Sequence, residues 1–366
     1  MDKNQEKKGY LVLSDGTVLE GIRFGAEVDS IGELVFTTGM EGYVETLTDP
    51  SYYGQIVMQT FPLIGNYGVM EEDFEGGCAV RGYVVRECSD TPSNFRSEYD
   101  LDTYLKAKNV PGIKGIDTRE LTRKIRERGV MNAAIVSEPP EDLTEIRDYV
   151  IKDAVKNVTC DSAYTVPAEG ETEYHVTLIN YGAKKNIARM LAKRGCEVRV
   201  VPSSTTAAEI LSARPDGIML SNGPGDPEEN VECIRELKKM LTKAPIFGIC
   251  LGHQLTALAY GGKTYKLKYG HRGANQPATY VVPGGNRRTY ITTQNHGYAV
   301  DADSLKDVGM MSFVNANDGT CEGIVYPGKK CFTVQFHPEA HGGPHDAGFL
   351  FDRFIEMMKE EKHAKR

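Results

Sequence analysis

Cys250 stands between two glycines in Gly248-Ile249-Cys250-Leu251-Gly252-His253-Gln254, where a short apolar run meets a segment of helical character. A thiol on such a strand-to-helix turn can serve as a nucleophile. The sharp turn strains its backbone, and flanking glycines remove the Cβ atoms that would clash there. The helix that follows aims its positive end at the sulfur, and the Leu251 N–H would face a developing oxyanion. Two further segments could complete covalent catalysis. Ser221-Asn222-Gly223-Pro224-Gly225-Asp226-Pro227 follows another apolar run, and Gly225 can bring a bare N–H close to a substrate. Gln335-Phe336-His337-Pro338-Glu339 sets an imidazole and a carboxylate two residues apart, a base and the group that would orient it.

Each segment alone has a plainer reading: a cysteine in an apolar stretch is usually packing, and Asn, Gly, Pro and Asp cluster in turns for local reasons. Their coincidence decides the matter, because three strand-end motifs in order along one α/β sheet supply nucleophile, oxyanion donor and oriented base together. A metal reading of His337, His341 and His345, spaced by fours, fails on Gly342-Gly343-Pro344, which breaks the helix that would align them. No metal is expected in this chain. It carries eight cysteines with no CxxC pairing, which reads as reduced thiols rather than a disulfide or zinc framework.

The elements that must position these residues fall into two regions. Residues 10–60 read as β-rich: Tyr10-Leu11-Val12-Leu13, a Ser14-Asp15-Gly16 turn, Val18 to Phe24, then Glu33 to Thr37. Asp117 to Arg126 starts with N-cap residues, repeats apolar residues four apart and ends at Gly129, as a helix does. An acidic helical segment is expected after Pro139-Pro140. Residues 157–173 turn polar and turn-rich, and the linker is placed there, between an N-terminal domain over 1–156 and a second over 174–366. From Tyr174 short apolar runs alternate with helical segments, the rhythm of βαβ units: strands near 175–180, 197–201, 217–221 and 246–249, helices near 186–194, 207–213, 231–243 and after Cys250. β-like pieces follow at 279–282, 288–293, 323–326 and 332–336, then a last helix over 348–360. The expected fold is α/β, a mainly parallel sheet flanked by helices, preceded by a β-rich α/β domain.

A length of 366 residues suits two cores. A net charge of −8 and the lack of a basic, aromatic-interleaved cluster argue against nucleic acid as partner. The apolar run after the charged N-terminus is too short for a signal peptide, and no stretch approaches a membrane span, so a cytoplasmic protein is expected. There is no Gly-rich Lys-Ser/Thr phosphate loop.

Gly248–Gln254 together with His337-Pro338-Glu339 resembles the class I (triad) glutamine amidotransferases, over nearly all of residues 174–360. Thr46-Leu47-Thr48-Asp49-Pro50-Ser51-Tyr52, Phe61 to Gly68 and Gly115 to Arg119 are similar to the small subunit of carbamoyl phosphate synthetases, and Asn180 to Lys184 agrees. The resemblance implies a glutaminase with Cys250 as nucleophile, His337 as base and Glu339 as its partner. It implies glutamine contacts from Ser51, Gly223, Gly225, Leu251, Gln254, Asn295, Gly297 and Tyr298, with Ser51 reaching the site from the first domain. It also implies a large-subunit partner in a heterodimer or higher oligomer, which would bind ATP, a divalent metal ion and bicarbonate, this chain having no cofactor of its own. Arginine or pyrimidine biosynthesis would use the product. Tyr298 stands where the family usually has Phe, and His341-Gly342 where Ser-Pro is more common. Two alternatives are the glutaminase component of another pathway and a non-catalytic scaffolding subunit.

Overall fold

The opening hairpin forms as the Ser-Asp-Gly turn dictates: Lys8–Leu13 and Val18–Gly25 pair antiparallel around Gly16, whose φ of 90° suits a residue without Cβ. The computed structural model describes residues 7–282, 284–340 and 342–364. It resolves into two units that divide between Lys152 and Asp153.

In the first unit the hairpin belongs to a closed barrel, in the order Lys8–Leu13, Val18–Gly25, Pro111–Lys114, Gly82–Val84, Gln55–Gln59, Ser30–Thr37 and Met131–Val136. Closure leaves no exposed edge strand. Leu11, Leu13, Leu34, Val35, Ile56, Val57, Tyr83 and Ile113 are fully buried. The helix read from its caps runs over Thr118–Arg128, with Asp117 accepting from the N–H groups of Arg119 and Glu120 and Gly129 closing it at φ 99°. It buries Leu121 and Ile125, four apart, and leaves its charged face to solvent. After Pro139-Pro140 only a single turn, Thr144–Arg147, forms.

The second unit holds a ten-stranded sheet in the order Tyr164–Val166, Cys196–Pro202, Tyr174–Asn180, Gly217–Leu220, Ile246–Ile249, Cys331–Val334, Cys321–Tyr326, Thr289–Asp301, Lys263–Tyr280 and Met310–Asn315. Its middle, from Cys196–Pro202 to Cys331–Val334, is parallel. The rest pairs antiparallel. The antiparallel flank is larger than the expected mainly parallel sheet. Lys263–Tyr280 is rich in Lys, Tyr and Gly and pairs with Thr289–Asp301 through two register shifts, so no period-two pattern marks it. Residues 157–173, expected to be a linker, belong to this unit: Ala154–Val158 is a short helix, and Tyr164–Val166 adds to the sheet beside Cys196–Pro202. Polar, turn-rich composition reports exposure, and an edge strand is also exposed.

The strand order reverses direction at Tyr174–Asn180, whose neighbours are Cys196–Pro202 on one side and Gly217–Leu220 on the other. In such sheets the crevice at the carboxyl ends of the strands is where ligands bind. Asn180, Ser221, Cys250 and Gln335 all stand at or just after those ends.

Candidate active site

The Ile246–Ile249 strand is fully buried among parallel neighbours, and the Leu251–Ala259 helix starts one residue after it ends. Cys250, caught between, has φ 52° and ψ −105°, outside the ordinary left-handed well that a side-chain-bearing residue can reach. The flanking glycines make this turn possible. A Cβ on Gly252 would lie 2.6 Å from the Leu220 carbonyl oxygen, and one on Gly248 would lie 2.9 Å from the Gly252 carbonyl carbon. Both obstacles are backbone and cannot step aside. The Gly252 N–H donates to Ser221 O (3.0 Å) and the His253 and Gln254 N–H groups to Cys250 O, so the elbow is braced from both neighbours.

Two loops from adjacent strand ends are sewn together beside it. Asn180 Oδ1 accepts from the N–H groups of Gly182 and Ala183 (2.8 Å each), Ser221 Oγ from Tyr181 N–H (2.9 Å) and Asn222 Oδ1 from Lys184 N–H (3.0 Å). Gly225 has φ 84°, and a Cβ there would press on Ala154 at 2.7 Å. Among the described residues, neither the Leu251 nor the Gly225 N–H donates a hydrogen bond within the protein, as two oxyanion donors require.

His337 and Glu339 form a buried pair, Nδ1 to Oε1 at 2.6 Å. They are 2% and 1% exposed, and Cys250 is 2% exposed, so the pair sits in a low-dielectric setting where its charges interact strongly. Burial opposes charge on His337 and Lys184 repels it, yet Glu339 and the nearby Cys250 thiol outweigh both and push its proton affinity up to about 10. Burial also opposes charge on Glu339, but His337 and Lys184 hold its carboxyl below the usual range. The Cys250 thiol donates to the Asn295 carbonyl (3.7 Å), and His337 Nε2 has no hydrogen-bond partner among the described residues. That nitrogen is thus free to exchange a proton with the thiol. Asn186 Nδ2 donates to the Glu339 carbonyl and ties this loop to the Lys185–Ala192 helix.

One strand gathers the whole arrangement. Along Thr289–Asp301, the Thr293 carbonyl accepts from His337 N–H (2.9 Å), the Asn295 carbonyl faces Cys250, and the Tyr298 carbonyl accepts from Gln254 Nε2 (2.8 Å). The Gln254 amide also donates to Gln335 Oε1 (3.0 Å). The second unit therefore assembles Cys250, His337 and Glu339 with Leu251, Gln254, Asn295 and Tyr298. Gly297 lies between the last two, and Gly223 is held where a Cβ would overlap the Tyr181 carbonyl. Ser51 lies in the first unit, buried in the single turn Pro50–Tyr52, its N–H on Asp49 Oδ1 (2.9 Å). His341, invoked in the metal reading and as a family departure, falls outside the described residues. Sequence reasoning missed Gln335 as the partner of Gln254, and a buried group of His271, His296 and Glu322 behind Asn295–Tyr298. Nothing in their local spacing joins those three. Among the described residues, no helix is long and apolar enough to cross a membrane.

Comparison with known proteins agrees with this layout. Residues 177–357 match the family described as Glutamine amidotransferase class-I, and residues 11–135 match the family described as Carbamoyl-phosphate synthase small chain, CPSase domain. A carbamoyl phosphate synthase small chain of Bacillus thuringiensis subsp. konkukian is 50% identical over 360 residues, covering 97% of each chain. Its namesake in Fusobacterium nucleatum is 50% identical over 354 residues, covering 95% of this chain and 97% of that one. In Listeria monocytogenes serotype 4b the corresponding protein is 49% identical over 362 residues, covering 97% and 98%.

Proposed function

Since this chain belongs to the carbamoyl-phosphate synthase small chain family, with a class I glutamine amidotransferase domain, we propose that it hydrolyses L-glutamine and delivers the ammonia to a large-subunit partner. The observation that carries this reading is the convergence of Cys250, the His337–Glu339 pair and two unengaged backbone N–H groups at the ends of neighbouring strands.

The Cys250 sulfur, its proton held on His337 Nε2, attacks the side-chain amide carbon of glutamine. The tetrahedral oxyanion rests on the N–H groups of Leu251 and Gly225. His337 then protonates the departing nitrogen as the C–N bond breaks, and ammonia leaves behind a γ-glutamyl thioester. Water, giving its proton to His337, attacks the thioester carbon, glutamate departs, and the proton returns to the sulfur. Glu339 holds the imidazole with Nε2 toward the chemistry throughout. Gly223, Gln254, Asn295, Gly297 and Tyr298 bind the glutamine.

Free ammonia is mostly protonated in neutral water and is then no nucleophile, a physical reason for handing it directly to a partner. That partner carries ATP, a divalent metal ion and bicarbonate and forms carbamoyl phosphate, for arginine or pyrimidine biosynthesis. The decisive measurement is glutamate release from glutamine by this chain, alone and with a carbamoyl phosphate synthase large subunit, for wild type and Cys250→Ala. Cys250-dependent release stimulated by the partner is expected. Equal release by both proteins would sink the reading.

A further inference from the structure

The antiparallel flank of the second unit holds a second buried imidazole–carboxylate group, separate from the His337–Glu339 pair. His271 and His296 are register partners on neighbouring strands, their rings edge to face at 5.0 Å, and Glu322 comes from the Cys321–Tyr326 strand. Glu322 is wholly buried, His296 is 5% exposed and His271 is 8% exposed. Each offers a ligand atom, these atoms lying within 4.8 Å of one another.

The hydrogen bonds around the group have the form that metal ligands show. His271 Nε2 lies 2.8 Å from Asp318 Oδ2 and His296 Nδ1 lies 2.8 Å from the Tyr298 carbonyl. Each acceptor claims one ring N–H and leaves the other nitrogen, His271 Nδ1 or His296 Nε2, as a lone pair facing inward. Asn315 Nδ2 donates to Glu322 Oε1 (2.9 Å), orienting the carboxylate, and lies at the long distance of 3.5 Å from His271 Nδ1. The acceptors so turned inward face one another. His271 Nδ1 is 3.4 Å from Glu322 Oε1, His296 Nε2 is 3.1 Å from Gln294 Oε1, and the buried Glu322 Oε2 has no hydrogen-bond partner among the described residues. Acceptors at such distances repel unless a proton or a metal cation lies between them. Zinc–ligand bonds of about 2.1 Å give a tetrahedron with edges of about 3.4 Å, the separation of His271 Nδ1 and Glu322 Oε1. Arg272 donates from Nη1 to the Tyr269 carbonyl (2.7 Å).

We propose that His271 Nδ1, His296 Nε2 and the Glu322 carboxylate form a structural binding site for a divalent cation of the zinc class, with the Gln294 amide oxygen at its rim. Glu322 and Asp318 together balance the ion's charge. Its role is to hold the Asn295–Tyr298 segment, because His296 fixes the same Tyr298 carbonyl that receives Gln254. The site does no chemistry on glutamine, and its existence does not depend on the glutaminase reading. The competing occupant of the group is a proton on His271.

The test uses the full chain carrying Cys250→Ala, so that the nucleophile cannot serve as a ligand, stripped with chelator and titrated with Co2+ and then Zn2+. One equivalent of Co2+ is expected, with four-coordinate d–d absorption and no thiolate charge-transfer band, displaced by Zn2+. Glu322→Gln should weaken binding at least about a hundredfold, and Asp318→Asn, which spares every ligand, about 10–100-fold. If Glu322→Gln does not fold by circular dichroism, Asp318→Asn decides. The proposal is overturned by the lack of stoichiometric uptake, by a cobalt–thiolate band, or by uptake that the folded variants leave unchanged; a proton is then the occupant.

Discussion

Two buried imidazole–carboxylate groups lie in the same unit and differ in how they are built. His337 and Glu339 are two residues apart on one strand-end loop and meet at 2.6 Å, leaving His337 Nε2 open toward the thiol and Glu339 Oε2 without a hydrogen-bond partner among the described residues. His271, His296 and Glu322 come from three strands, and their acceptors outnumber the donors that reach them. The first group holds a proton where it can be moved. The second is arranged to hold a charge in place. Similar side chains therefore take different work from how they are brought together, one pair within a single loop beside a thiol and one group across three strands, and not from their types.

The comparison can be broken most forcefully at the thiol. Cys250→Ala should lower glutamine hydrolysis by at least about a thousandfold with the fold intact, since the covalent route disappears and only binding and oxyanion donors remain. Glutamate release and far-UV circular dichroism together check it; in a complex with the large subunit, synthesis from added ammonia should survive.

Glu339→Gln tests whether the first pair is a proton-handling device. Turnover should fall by about a hundredfold or more, because the imidazole loses both its orienter and the charge that stabilises its protonated form. The same variant has a pH signature. His337 binds its proton more tightly folded than unfolded, so its contribution to stability is complete below the ordinary histidine range and is lost as pH rises through about 10. Glu339 is depressed, so its contribution is present above the ordinary carboxylate range and lost as pH falls through its lowered value. Between those limits the pair should stabilise the second unit. Denaturant midpoints measured from pH 4 to 10 should be highest in wild type between the ordinary carboxylate and histidine ranges and fall as pH rises toward 10, a profile that Glu339→Gln flattens and lowers.

A smaller effect is expected at the elbow. Gly252→Ala places a Cβ 2.6 Å from the Leu220 carbonyl and should destabilise the second unit by about 1–3 kcal/mol, read from urea unfolding. If it costs nothing, the close approach of helix and strand is not what demands glycine there.

The smallest effect belongs to the first unit, where Asp15 meets Lys124 and Arg128 at 2.8 Å each on a partly exposed surface. Burial works against its charge, but hydrogen bonds from Lys124 and Thr17 bring its carboxyl down to about 2. That stabilisation is present above the ordinary aspartate range and fades as pH falls toward 2. Solvent screening should keep Asp15→Ala to less than about 1 kcal/mol at neutral pH, measurable as a small shift in unfolding midpoint.

Much of the site was legible in the chain because its parts are local. The glycines around Cys250, the Asn-Gly-Pro-Gly turn and the His-Pro-Glu triplet each answer a steric or hydrogen-bonding demand met within a few residues, as does the Asp117-to-Gly129 helix with its two caps. The β-rich first region was legible too, but not its closure into a barrel, since parallel pairs such as Ser30–Thr37 with Gln55–Gln59 are set by packing between distant segments. The reach of Lys263–Tyr280 and Thr289–Asp301 stayed hidden because bulges interrupt their alternation. The 157–173 stretch was misread because polar composition marks exposure and not disconnection.

The sequence alone determined which residues could attack, donate and accept protons, since side-chain chemistry and short-range backbone strain are properties of a few neighbouring residues. Only the tertiary structure decided that one strand, Thr289–Asp301, would offer carbonyls to His337, Cys250 and Gln254 in turn, and would carry His296 to Glu322 behind them. Those meetings depend on strand order and register, which arise from the burial of whole faces at once and leave no mark in any short stretch of chain.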